Sequence, residues 1–200
     1  MFTIGRAQSG DVEAAVAVLG DAFAEDPLML YMFAQNPAGV RAGTMGFFSI
    51  LLRARIALDM PALVLRQDGK VLGATMGYDT SRPTWPEALT EEFRQYQASV
   101  PGFAERLAAY GAIGDAHEPD EAHFYLGVIG VHPSLQGKGA GKALLEAFCA
   151  GSQADAKSGG VYLDTTNASS LEFYYRNGFA LRGEGSLDAT TPVWCVYRRT

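Results

Sequence analysis

Cysteine, long apolar runs and excess positive charge are all missing from this sequence, and each absence removes a class of protein. Only Cys149 and Cys195 occur, too few for a disulfide framework or a zinc site. Neither has a base at motif spacing that would make it a nucleophile, and no metal is expected. The longest apolar stretches, such as Ala42–Leu52, stop at Arg53 and Arg55, short of the roughly 18 uncharged residues of a bilayer span. No membrane partner is expected. The first residues, Met1–Asp11, show neither the basic n-region nor the apolar h-region of a secretory signal, so a reducing cytoplasm is the expected compartment. Sixteen Lys+Arg against 22 Asp+Glu give a formal charge of -6, which argues against nucleic acid or anionic lipid as a partner. Any polyanion must be caught by local geometry.

What is present is core-forming material. The chain has 200 residues, 48% of them hydrophobic, with 11 Phe, 9 Tyr and 2 Trp, enough for one domain over residues 1–200 and against disorder. Phe2–Arg6 reads as a strand, and Asp11 opens a helix (Val12, Ala15, Val16, Leu19, Phe23) to about Ala24. Leu28–Phe33, between Pro27 and Pro37, is too short for a long helix and too apolar to be exposed, as a pocket lining would be. Helical spacing resumes over Val40–Leu58 and stops at Pro61. Ala62–Arg66 and Val71–Tyr78 flank Asp68-Gly69 and read as a hairpin. Pro86 to about Tyr110 is helical with a break at Pro101-Gly102, and Gly111–Asp120 reads as a loop.

After that loop the order is strand (His123–Val131), Gly-rich turn, helix (Lys138–Ala150, closed by Gly151), strand (Val161–Asp164), helix (Ala168–Asn177, ended at Gly178) and a closing strand pair, Phe179–Leu187 and Val193–Arg199. The expected fold is α/β: a mixed sheet of six or seven strands, parallel in its middle and antiparallel at both ends, flanked by helices.

The chemistry gathers at Gln136-Gly137-Lys138-Gly139-Ala140-Gly141-Lys142, where a strand hands over to a helix. Unpaired amides and the positive helix end make such a place an anion site. Three glycines in five residues remove the Cβ atoms that would keep an anion away, and two lysines add charge; a turn alone would need only one glycine. A P-loop would need Gly where Gln136 stands and Ser or Thr where Ala143 stands. The dinucleotide fingerprint would need Gly at Lys142 or Leu144. Both spacings fail, which opposes an ATP, GTP or dinucleotide site.

What remains is Gln-x-x-Gly-x-Gly, and with it the chain resembles the acetyl-CoA pyrophosphate loop of the GNAT superfamily of N-acetyltransferases. The resemblance covers Glu121–Arg199, with His123–Pro133, the Gly-rich loop, Asn167 and Tyr174-x-x-x-Gly178-Phe179 in register. The run His123–Pro133 and the closing Pro192–Arg199 are similar to the branch that includes puromycin acetyltransferase, whereas residues 1–120 resemble it only loosely. The likeness implies acetyl-CoA as cosubstrate, gripped by Gln136, Gly137, Lys138, Gly139, Ala140, Gly141 and Lys142. The strand before the loop would splay from its neighbour and offer the main chain of Ile129, Gly130 and Val131 to pantetheine, with Asn167 as a further contact. Asn167 also reads as a helix N-cap. Gly127 and Gly130, interrupting that strand, are the pattern of a bulge or of a close backbone approach.

By the same likeness Tyr174 is the acid that protonates the departing thiolate; Tyr175 lies about 100° round the helix. His123, on one strand face with Tyr125, is the candidate base. Attack would be direct, within a ternary complex, on a main-chain-polarised carbonyl near Val131. The implied activity is transfer of acetyl to a primary amine of a small molecule. A non-catalytic acyl-CoA-binding regulator of the same fold and acetylation of a peptide or protein amine are the alternatives. Drug-like amine, polyamine, amino acid and peptide all stay open as acceptors, as does O-acetylation. Homodimers are common in the superfamily, and no sequence feature decides the matter. Residues 1–120, the expected acceptor side, hold 9 basic and 15 acidic side chains; 121–200, the expected cofactor half, hold 7 of each. That distribution points to a cationic acceptor.

Overall fold

The computed structural model describes residues 1–200. Seven strands, β1 (Phe2–Arg6), β2 (Ala62–Gln67), β3 (Lys70–Tyr78), β4 (Phe124–Val131), β5 (Gly160–Thr165), β6 (Ala180–Ser186) and β7 (Pro192–Arg199), form one sheet in the order β1-β2-β3-β4-β5-β7-β6. Seven helices cover it: α1 (Val12–Ala22), α2 (Pro27–Phe33), α3 (Val40–Ala57), α4 (Glu87–Ser99), α5 (Phe103–His117), α6 (Ala140–Ala154) and α7 (Ala168–Arg176). All ladders are antiparallel except β4–β5 at the centre, which is parallel.

Side chains on one sheet face, Val64, Ala74, Met76 and Val128, join Leu19, Phe33, Phe48 and Phe103 of the α1–α5 layer in the largest core cluster. On the other face Phe124, Leu126, Val161 and Leu163 pack under Leu145, Phe148, Leu171 and Tyr174 of α6 and α7. Each such large apolar side chain removed from water contributes roughly 1.5–3 kcal/mol. Within the α1–α5 layer the aromatic rings pack on one another, with Phe33 and Phe103 stacked 5.1 Å apart and Phe47 edge-on to Phe103 at 5.3 Å.

The central strand is bent by a bulge. Gly77 pairs with Leu126 and Met76 with Val128, which leaves Gly127 as an extra residue. The alternation of faces resets there: Leu126 belongs to the α6–α7 core and Val128, two residues on, to the opposite one. Gly77 has to be glycine, since a Cβ would lie 2.0 Å from the Tyr125 carbonyl oxygen. Gly130 answers to a different pressure from the close ligand approach its sequence position allows. A Cβ there would meet Leu19 at 2.8 Å and Phe23 at 3.1 Å, so this glycine lets α1 lie against the sheet.

One element is added to the sequence-based expectation and two depart from it. Leu28–Phe33 is helical, with Asp26 as N-cap accepting from the Leu28 and Met29 amides and Pro27 in the first turn. Gly111–His117 is not loop but the end of α5. Gly114 stays helical because α5 crosses β5 closely: its carbonyl accepts from the Tyr162 hydroxyl at 2.7 Å and an added Cβ would sit 3.3 Å from Asp164. Gly151 does not close α6, which starts at Ala140 and runs to Ala154; Gly151 faces Phe124, within ordinary contact distance of any Cβ.

Candidate active site

Beyond Phe124–Val161 and Tyr125–Tyr162, β4 and β5 part company, so Leu126–Val131 has no strand partner on that edge. The wedge so opened carries a cleft of about 640 Å³, lined by Ile129, Gly130, Val131, Gln136, Gly137, Gly139, Gly141, Lys142 and Asn167. Gly137 and Gly139 hold φ of 72° and 80°, the left-handed region that glycine enters without a Cβ penalty. At Gly137, Gly139 and Gly141 a Cβ would meet nothing within 4 Å, so all three present bare backbone to open space. The amides of Gly137, Gly139, Ala140, Gly141 and Lys142 donate to no protein acceptor, and Lys142 adds its charge at the start of α6. Ala140 turns its methyl inward, against Leu65, Leu135 and Leu144, so only its backbone is on offer. Lys138 is exposed and stands outside the cleft lining. Asn167 caps α7, its Oδ1 accepting from the Ser169 and Ser170 amides at 2.9 and 3.3 Å, and borders the cleft as well.

A second cavity, about 440 Å³, lies between the sheet and α2–α5. Its walls include Leu28, Met29 and Met32 of the apolar run between the two prolines, together with Phe47, Trp85 and Phe93. Its charged lining groups are Asp26, Asp115, Glu118, Asp164, Arg55 and Arg82. Burial raises the Asp164 carboxyl to about 7 from an ordinary 3.8. The Tyr125 hydroxyl donates to its Oδ2 at 3.2 Å and the Tyr110 hydroxyl to its Oδ1. Burial likewise lifts Tyr125 to about 12 and raises Asp26, the latter against two amide hydrogen bonds that pull the other way.

The two spaces meet at Phe23, Asp26, Ile129, Ser170 and Tyr174, each of which lines both. Tyr174 is 7% exposed, packs against Phe173 and Phe179 at 5.4 and 5.5 Å, and makes no hydrogen bond through its hydroxyl to any protein group. Burial, with Asp164 and Asp26 adding to it, holds its proton far more tightly than an ordinary phenol. Tyr175 turns to solvent.

His123 is not brought to either cavity. It is buried edge-on to Tyr162 and Tyr197. Its Nδ1 donates to the Glu121 carbonyl at 2.7 Å, while Nε2 lies 3.0 Å from both Arg82 and Glu118. With both nitrogens engaged, it supports the Arg82–Glu118 pair from beneath. Asp164, Arg55 and Tyr110 do not stand out as site residues in the sequence. The legible signal for Asp164 was a carboxylate closing an otherwise apolar strand. Burial pushes the Cys149 thiol up to about 11 and raises Cys195, which keeps both protonated. No group of three or more His, Cys, Asp or Glu is placed to hold a metal ion, and no helix is long and apolar enough to cross a membrane.

A cleft offering unpaired amides to an anion at one end and an unpaired strand edge along its side suits coenzyme A. The pyrophosphate needs the first kind of partner and the amides of pantetheine the second. Residues 102–181 match the family model of the acetyltransferase (GNAT) domain. The whole chain also superposes on solved structures of that fold. One is a Corynebacterium glutamicum protein described as histone acetyltransferase HPA2 and related acetyltransferase, 24% identical, covering 99% of this chain and 96% of its own, with a TM-score of 0.74. A second is the Drosophila melanogaster polyamine N-acetyltransferase, an enzyme that forms N-acetylagmatine, 20% identical with full coverage of both chains and a TM-score of 0.73. A third is the PaiA N-acetyltransferase of Thermoplasma acidophilum in complex with coenzyme A, 13% identical, covering 100% of this chain and 99% of its own, with a TM-score of 0.61. At these identities the likeness is one of fold. Residues 102–181 are thus similar to the acetyltransferase (GNAT) domain, and the whole chain has the fold of solved GNAT acetyltransferases.

Proposed function

We propose that the protein transfers acetyl from acetyl-CoA to the primary amine of a small molecule held in the cavity walled by α2–α5. The observation that carries this reading is the meeting of the two spaces at Tyr174, where the acyl end of a molecule in the cleft and an amine in the cavity would be in reach of one phenol. A cavity of about 440 Å³ with mostly apolar walls has the dimensions of a small-molecule pocket. The polyamine and agmatine N-acetyltransferases among the structural neighbours act on small amines, which supports the same class.

When bound, acetyl-CoA supplies the activated acyl carbon; the chain supplies everything else. The amides of the Gly-rich loop and Lys142 hold the pyrophosphate, and the free edge at Ile129–Val131 aligns the pantetheine arm and polarises the acetyl carbonyl. Asp26, at the junction, holds the incoming ammonium electrostatically. Asp164, not His123, takes the ammonium proton, because its carboxylate lines the cavity and titrates near neutrality, where a base works best. The amine lone pair then forms the C–N bond, the C–S bond breaks as the tetrahedral adduct collapses, Tyr174 gives its proton to the departing thiolate, and the second proton of the former amine nitrogen restores the phenol. A panel of amines, including diamines, amino acids, puromycin, aminoglycosides and a peptide with a free N-terminus, assayed by release of CoA thiol, tests this. Turnover of the peptide alone would move the acceptor class to proteins, and CoA binding without turnover of any amine would make the chain a binding module.

A further inference from the structure

Of the two cations lining the acceptor cavity, Arg55 is the one without a carboxylate counterpart. It leaves the last turn of α3, is 6% exposed, and lines the cavity. Its buried Nε and Nη1 have no hydrogen-bond partner, and no carboxylate stands within ion-pair distance. Arg82, the other cation there, is by contrast paired with Glu118 at 3.1 Å. What surrounds Arg55 is aromatic: its Cζ is 3.7 Å from the centre of the Tyr78 ring and 5.3 Å from that of Trp85. Those rings are locked together, the Trp85 indole N–H donating to the Tyr78 hydroxyl at 2.7 Å. Ring faces offset part of the cost of burying a cation, but they accept few of the hydrogen bonds a guanidinium can make. The site is thus rigid, positively charged and incomplete on the protein's own atoms.

Its place along the cavity gives the spacing. Tyr78 pairs with Tyr125, and the junction with the cofactor cleft is at Ile129, four residues further along β4. At about 3.3 Å per residue, less the bulge, Arg55 stands on the order of 10 Å from the point of transfer. A single unbalanced guanidinium matches a single negative charge, and its planar donors match the two oxygens of a carboxylate. We propose that Arg55 is an anion subsite of the acceptor cavity, so that the acceptor is an amphoteric molecule with a primary amine at the Tyr174 end and a carboxylate several bonds away on Arg55. This rests on the amine-acetylation reading and narrows it, since a second cationic group at that end would meet Arg55.

The test uses two matched pairs of probes on the full chain. Hexanoate and hexanamide are titrated against the fluorescence of Trp85, with Trp194→Phe to remove the other tryptophan signal; 6-aminohexanoate and 6-aminohexanamide are compared as acceptors. The expected result is at least 10-fold tighter binding of hexanoate than of hexanamide, and a similar preference in kcat/KM for the amino acid. Arg55→Gln should erase both preferences, and Arg55→Lys should keep part of them. The comparison within the wild-type protein needs no variant, so a folding defect in Arg55→Gln does not spoil it. Equal affinity for the two probes, no binding of either, or a preference that survives in a folded Arg55→Gln overturns the subsite. Carboxylate binding intact with no amine acetylated would instead overturn the amine reading and leave the subsite standing.

Discussion

Replacing Asp164 by Asn separates the proton acceptor from everything else in the site. Asp164 titrates near 7 against an ordinary 3.8, a difference of about 3 pH units. The raised value means that the folded protein binds the proton more tightly than the unfolded chain. Stability is therefore full below about pH 4 and falls as the pH rises towards 7, by at most about 4 kcal/mol at 1.36 kcal/mol per unit. Asp164 is half-buried and lines the cavity rather than being sealed in the core, so about 2 kcal/mol is the working figure, or roughly 4–8 °C in Tm for a domain of this size. Asp164→Asn should lose this dependence: its Tm should stay level from pH 4 to 8 where that of the wild type falls. In kinetics, the acid limb of kcat/KM should bend near pH 7 in the wild type and be absent in the variant, with turnover lowered by roughly 10²–10⁴ and CoA affinity unchanged. Calorimetry or thermal melts at stepped pH, with rates from thiol release, measure both. An acid limb that persists at the same pH in Asp164→Asn would refute the assignment.

Tyr174→Phe should lower kcat by on the order of 10²-fold while leaving the CoA Kd within a factor of three, and it should cost little stability because the hydroxyl makes no protein hydrogen bond; an unchanged kcat reassigns the acid. Gly141→Leu, whose side chain would project into open space at the start of α6, should abolish CoA binding by calorimetry with Tm held within a few degrees. Retained binding would remove the loop from the site. Gly139→Val adds to the same block a backbone strain of roughly 1–2 kcal/mol, because φ there is 80°. His123→Gln should lower Tm, since the buried ring loses hydrogen bonds worth about 1–3 kcal/mol, yet leave the acid limb in place. If that limb flattens instead, His123 is the base after all.

The part of the site proposed to hold the cofactor was legible in the sequence because its chemistry is local. An anion site at a helix N-terminus is written in consecutive residues, Gln136 to Lys142, and Asn167 and Tyr174 follow within two turns of one helix after a recognisable strand. Hydrophobic period and turn residues likewise fix β1–β3, α1, α3 and the alternation of strand and helix after residue 121. The Gly111–His117 helix end was lost because glycines that break an isolated helix are tolerated where the helix presses on a strand, a contact formed by residues some fifty positions apart.

The cavity proposed for the acceptor is formed only in the tertiary structure. Asp26, Arg55, Tyr78, Tyr125 and Asp164 lie on five elements, and in the sequence each reads as an ordinary surface or strand residue. What makes them a site is desolvation, and burial is a property of the packed assembly. It raises Asp164 towards neutrality and leaves Arg55 without a partner, while the same packing draws His123, the residue whose type best suited a base, under Arg82 and out of the cavity. The sequence determined that an acetyl-CoA-type anion could be held, since a run of free amides needs only its own neighbours. Which side chains share the second cavity, with Asp164 and Arg55 inside it and His123 outside, was decided by the splay of β4 from β5 and by the closure of α2–α5 over it.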